Sequence, residues 1–358
     1  MITEDAIQAA LKAKTEILSK RIVDAMTKPP QAIYLVGGYG RGEGAWYEDE
    51  QGLHPYNDFD VAVITDSPLP YKTTEKLRKE LASKVGISWI DIDYYSLNKL
   101  KVFTPTIHNV DLLEGGMLIF GEDVIKQNHL HLDSTLIGKE DLIKLYWTRM
   151  WTFLGSWEGS FRDLNAEESR FFKNQMAKAT LAACDMRLVK LKKYTTSYRE
   201  RAKIVVAAFA DDKVLCETVK WSIAEKVRPT SDSLSETEMI ELYFKVKSIY
   251  LNSFRYAMGK ESVSYLDPDK TKKYSLVHRK VLLMHIYSSL RYHESREIRR
   301  LDVSCAMNYV FQAKERDRVD ENMLRKASRI LLKRGFIKEP INNWDYLRVE
   351  VAKARNNI

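Results

Sequence analysis

Residues 32–44 read AIYLVGGYGRGEG, residues 57–64 read NDFDVAVI and residues 88–96 read SWIDIDYYS; these three stretches decide the fold of the first third of the chain. Ala32 to Val36 is a short apolar, β-rich run ending in two glycines, the pattern of a buried strand entering a tight turn. Phe59 to Ile64 forms a second such run, and Ser88 to Tyr95 alternates as a third. Around them, Ile2 to Met26 has helical spacing and stops at Lys28-Pro29-Pro30. Thr74 to Val85 also reads as helix, Val110 to Leu113 as a helix end, and GGMLIFGED as a further strand. Strands and helices interleave, so the region is α/β.

The same stretches hold the chemistry. Gly37 and Gly38 would let a ligand approach the backbone closely, and a helix starting there would offer free N–H groups to phosphate. Asp58 and Asp60 are two residues apart on a strand, so both carboxylates leave the same face. Asp91 and Asp93 repeat that spacing on another strand. Convergent carboxylates are costly unless a cation neutralises them, and oxygen donors suit Mg²⁺. Arg41 has two readings of equal standing, a planar fork for phosphate oxygens or a salt bridge to Glu43 or a nearby aspartate.

In combination these motifs resemble the DNA polymerase beta-type nucleotidyltransferase superfamily, with its glycine pair, Asp-x-Asp strand and third acidic strand. Gly37-Gly38-Tyr39-Gly40-Arg41-Gly42-Glu43-Gly44 and Asn57-Asp58-Phe59-Asp60-Val61 are closest to the aminoglycoside-type and minimal members, and the resemblance covers roughly residues 30 to 125. It implies a mixed sheet with helices followed by an all-α domain. It also implies a Mg²⁺-dependent transfer of an NMP from an NTP, with ATP favoured, to an acceptor hydroxyl or phosphate, with pyrophosphate released; the expected cytoplasmic location comes instead from the three cysteines, read as buried thiols in a reducing compartment. Two metals would lie on Asp58, Asp60 and Asp93, with Asp91 as second choice for the third carboxylate. Gly37, Gly38 and Arg41 would hold phosphates, and Lys173, Lys178 and Tyr198 would close over the triphosphate.

The sequence departs from the pattern twice. Gly38 stands where the family has serine, leaving only backbone donors for phosphate. The 13 residues between Gly44 and Asp58, AWYEDEQGLHPYN, are an insertion that either shapes the acceptor site or forms a surface loop.

Beyond Ser134 strand signals fade. Lys139 to Leu154, Ala166 to Lys193, Ser197 to Phe209, Asp212 to Lys226, Ser235 to Ala257, Tyr274 to Tyr292, Ser304 to Ala313 and Glu321 to Arg334 all show apolar positions three and four apart. The expected division is a catalytic domain over 1–133 and a helical, nucleotide-closing domain over 134–358. Residues 1–133 carry 14 basic and 20 acidic side chains, net −6, and the remainder 43 and 29, net +14. That asymmetry suits a cation on one part and a polyanion on the other. A small-molecule acceptor is favoured, and a nucleic-acid-acting or cyclic-nucleotide-forming member of the superfamily, or a non-catalytic antitoxin-like binder, is the alternative. Arg279 to His285 resembles the arginine–histidine signature of HEPN-type ribonucleases, a match short enough to arise by chance. Cys184, Cys216 and Cys305 fit neither a disulfide framework nor a zinc site, and no apolar run reaches bilayer length.

Overall fold

A computed structural model describes residues 3–50, 52–270 and 296–357. The expected helix over 274–292 and the Arg279–His285 motif lie outside the described residues.

Among the described residues six strands and a series of helices follow the order α1 (Glu4–Ala25), β1 (Ala32–Val36), α2 (Gly37–Gly40), β2 (Trp46–Asp49), β3 (Gly52–Pro55), β4 (Asp58–Ile64), α3 (Tyr71–Val85), β5 (Trp89–Tyr95), α4 (Leu97–Lys101), α5 (Ile107–Gly115), β6 (Met117–Gly121) and α6 (Val124–Gln127). The remainder is helical: α7 (Lys139–Leu154), α8 (Ala166–Leu191), α9 (Tyr198–Ala208), α10 (Lys213–Val227), α11 (Glu236–Met258), α12 (Ser262–Leu266), α13 (Arg296–Ala313), α14 (Glu321–Lys333) and α15 (Trp344–Asn356).

The larger sheet is mixed, in the order β5-β4-β1-β6, with β4 parallel to β5 and β1 antiparallel to both its neighbours. Its two faces follow from the period-2 alternation of each strand. Phe59, Val61, Val63, Ile90 and Ile92 pack under α1 and α3 with Leu18, Ile22, Leu77 and Leu81. The opposite face carries Tyr34, Ala62, Ile64 and Tyr95 against Leu100 of α4, Leu112 and Leu113 of α5, and Val124 of α6. Asp58 and Asp60 belong by alternation to this second face, at the end where β4 begins, and both are half-buried. Helix ends are defined by side chains: Ser96 and Thr106 cap α4 and α5, and Gly86 in the left-handed region ends α3.

The described chain divides into two compact units, Met1–Gly138 with Leu191–Thr230, and Lys139–Lys190 with Ser231–Ile358. The sequence suggests one cut after residue 133. Instead α9 and α10 return to the α/β unit, because a helical periodicity shows that a face is buried but not what buries it. The second unit is built around aromatic packing. Tyr146 stacks on Phe254, Phe153 meets Tyr250 and Phe311, and Trp157 meets Tyr243 and Trp344. Arg348 is buried there with its guanidinium 3.6 Å from the Trp157 ring centroid, and it donates to the carbonyls of Leu154 and Trp157. No described helix is long and apolar enough to cross a membrane.

Candidate metal and nucleotide site

Strand register assembles the site. In the antiparallel β1–β4 pair Val36 faces Asp60, and in the parallel β4–β5 pair Asp60 faces Asp91. One row across three strands therefore ends beside the glycine turn. Asp58, Asp60 and Asp91 each offer a carboxylate oxygen, and these oxygens lie within 4.8 Å of one another. Three half-buried carboxylates at that separation repel one another, and a hard divalent cation is the group whose charge and oxygen preference relieve the repulsion.

Asp93, the sequence's first choice for the third carboxylate, does not join this group; Asp91 does. Asp93 faces Ala62, two residues further along β4, a displacement of about 6.6 Å at strand rise. It remains on the same face as Asp91, is exposed, and makes no hydrogen bond or ion pair among the described residues. Tyr95 is the next residue on that face. Its hydroxyl is pushed up to about 12 by burial, reinforced by the charges of Asp93 and Asp60, and it lies 3.1 Å from His108 Nε2. Asp91 is further held by the Trp89 indole N–H, 2.8 Å from Oδ1.

Gly37 has φ +65°, and a Cβ there would stand 2.3 Å from Asp60 Oδ2. No side chain fits between the glycine turn and the acidic row. The helix that follows is a single turn, Gly37–Gly40, so it lacks the aligned peptide units needed for a strong dipole. Phosphate recognition here would rest on individual backbone N–H groups. Tyr39 braces the turn from below. It is buried, with its ring edge-on to Phe59 and Trp46 at 4.4 and 5.7 Å. Its hydroxyl is within hydrogen-bond distance of the Ala45 and Tyr56 carbonyls and accepts the Tyr56 N–H. Burial pushes that hydroxyl well above its ordinary pKa, partly offset by the Tyr56 hydrogen bond, while Asp58 adds to the rise.

Of the two readings of Arg41, the structure has the salt bridge. The side chain is 4% exposed, its guanidinium is 3.1 Å from Asp111 Oδ2 on α5, and Nε is 3.9 Å from Glu43. Burial alone would depress it, but the neighbouring Tyr198 and Asp111 more than offset this. Tyr198, expected over the triphosphate, stacks on Arg41 at 4.6 Å. Lys173 and Lys178 belong to the other compact unit, on α8, where Lys173 is buried and donates to the Asp232 carbonyl at 3.1 Å.

The insertion contains a two-stranded ribbon, β2–β3, with Trp46 paired to Pro55 and Asp49 to Gly52. Trp46 is buried, Tyr47 stacks on His54 at 5.3 Å, and His54 Nε2 is 3.0 Å from Asp49 Oδ1. Asn57, between ribbon and β4, has φ 83°, a strained value for a residue with a side chain. Sequence reasoning missed Asn57, Asp111 and the bracing role of Tyr39. Asp111 has no local signal, since only the fold brings α5 to the glycine turn.

No family model, curated protein or solved structure matches this chain.

Proposed function

We propose that this chain is a divalent-metal-dependent nucleotidyltransferase, moving an NMP from an NTP, ATP by preference, to an acceptor hydroxyl or phosphate. The observation that carries the reading is the Asp58–Asp60–Asp91 group set directly against Gly37. That juxtaposition joins a cation site to a turn whose backbone is bare of side chains, as a metal-bound triphosphate needs.

Asp58, Asp60 and Asp91 would hold the two Mg²⁺ ions the reading calls for, since their oxygen donors suit a hard cation. When bound, the metal neutralises charge on the phosphates and on the attacking and leaving oxygens. The chain's own contribution is positioning. Gly37 and Gly38 present backbone to the phosphates. Arg41 is committed to Asp111, so the loop supplies main-chain donors rather than a guanidinium fork. Asp93, exposed one pleat beyond Asp91, accepts a hydrogen bond from the acceptor hydroxyl and so aims its oxygen. The acceptor oxygen gives up its proton to water and bonds to the α-phosphorus as the bond to the bridging oxygen breaks, and pyrophosphate leaves.

The test is incubation with labelled ATP, GTP, CTP or UTP, Mg²⁺ and a metabolite extract, followed by mass spectrometry. The reading requires an acceptor heavier by one nucleotidyl group, an NMP less one water, and an equal amount of pyrophosphate. No metal-dependent consumption of any NTP would refute it.

A further inference from the structure

The glycine turn is tied to a helix that begins more than 150 residues later in the chain. Glu43 is buried, and its backbone N–H donates to the Gly38 carbonyl at 2.8 Å, which closes the turn on itself. Its carboxylate accepts three hydrogen bonds from the start of α9: from Ser197 Oγ at 2.8 Å, Tyr198 N at 2.7 Å and Arg199 N at 3.0 Å. A chain of direct bonds therefore runs from Gly38 through Glu43 to α9. A second tie runs in parallel. The Arg41 guanidinium stacks on Tyr198 and pairs with Asp111, which also accepts from Tyr194 Oη and Arg201 Nη2 at 2.8 Å each.

Burying a carboxylate is expensive unless it is fully hydrogen-bonded, and here the first N–H groups of α9 and the Arg41 charge meet that need. The β1–β4 register already sets Gly37 beside Asp60, and these ties hold the rest of the turn, from Gly38 to Glu43, against α9. The metal carboxylates are fixed independently, by the β4–β5 register.

We infer that Glu43 is a positioning residue for nucleotide binding, locking the glycine turn to α9 so that its backbone meets the triphosphate; the inference rests on the nucleotidyltransferase reading above.

The test compares wild type with Glu43→Ala, Glu43→Gln and Ser197→Ala, each held well below its own melting temperature. Dissociation constants are measured for Mn²⁺ alone and for each of ATP, GTP, CTP and UTP with Mg²⁺. Glu43→Ala should weaken the preferred NTP roughly tenfold or more while shifting Mn²⁺ alone by no more than about twofold, as a misplaced contact surface predicts. Glu43→Gln, which keeps an acceptor oxygen, should recover part of the loss. If Glu43→Ala does not fold, Ser197→Ala carries the test, with NTP binding weakened by about threefold for one lost donor. Wild-type NTP affinity in the folded variants, or Mn²⁺ affinity falling in step with NTP affinity, overturns the inference. A wild type that binds Mn²⁺ but no NTP instead overturns the nucleotidyltransferase reading, and this role with it.

Discussion

Asp60 stands directly opposite Asp91 across the parallel β4–β5 pair, and it is this pairing, more than either strand's own sequence, that gathers the three carboxylates of the candidate cation site. Paired residues share a face, so two carboxylates meet at the closest cross-strand distance, with Asp58 one pleat away on the same strand.

Like charges held together make the cation-free protein pay an electrostatic cost that metal removes. Mn²⁺ or Mg²⁺ at about 100 times its dissociation constant should stabilise the wild type by about 2.7 kcal/mol. Asp60→Asn should melt no lower than wild type without metal, yet gain little when metal is added. Calorimetry of both proteins with and without Mn²⁺ checks this, and equal gains would put the metal elsewhere.

Gly37→Ala should be more damaging to the site than to the fold. The left-handed backbone costs a side chain about 1–2 kcal/mol, and the new methyl would meet Asp60 Oδ2 at 2.3 Å. The Asp60 carboxylate must turn away, so Mn²⁺ affinity should fall by more than the melting temperature suggests. Titration of folded Gly37→Ala with Mn²⁺ reads the effect directly.

Asn57 stores strain immediately before Asp58. Asn57→Gly should cost less than Asn57→Val, because both lose the Asn57 side chain while only glycine adopts φ 83° freely. Asn57→Val should cost about 1–3 kcal/mol, the usual range for a forced backbone conformation. Chemical denaturation of the two variants checks this: equal losses would mean that the side chain's own contacts, rather than the backbone conformation, set the cost.

Tyr34 links stability to alkaline pH. Its hydroxyl donates to Asp123 Oδ1 at 2.9 Å, and burial foremost pushes it up to about 12 from an ordinary 10. The folded state therefore holds this proton more tightly than the unfolded chain. The associated stability is complete below pH 10 and is lost as pH rises through 12. Melting temperatures of Tyr34→Phe should fall less steeply than wild type across that interval.

Much of the fold was legible because its signals are local. Lys139–Leu154 is the helix its periodicity indicates, and β1 and β4 follow from apolar runs bounded by turn residues. The Asp58–Asp60 pair was legible for the same reason. Choosing Asp91 over Asp93 was not, because both leave one face of β5 and only the hydrogen-bond register with β4 separates them. The β2–β3 ribbon was passed over as an insertion, although WYED and GLHP around a polar turn carry a hairpin's spacing. The place of α9 was illegible in principle. Ser197 and Glu43 meet through the fold, and neither residue's neighbours in sequence announce the other.

The central claim is that Asp58, Asp60 and Asp91 are the carboxylates on which nucleotidyl transfer depends. It is tested most directly by the Mg²⁺-dependent rate of pyrophosphate release from NTP, with metabolite extract as acceptor source, in Asp91→Asn and Asp93→Asn. Asp91→Asn should lose nearly all activity, whereas Asp93→Asn should lose roughly 10–100-fold, as for a group that orients the reacting partners without holding the metal. An active Asp91→Asn beside an inactive Asp93→Asn, or wild-type rates in both, would contradict it.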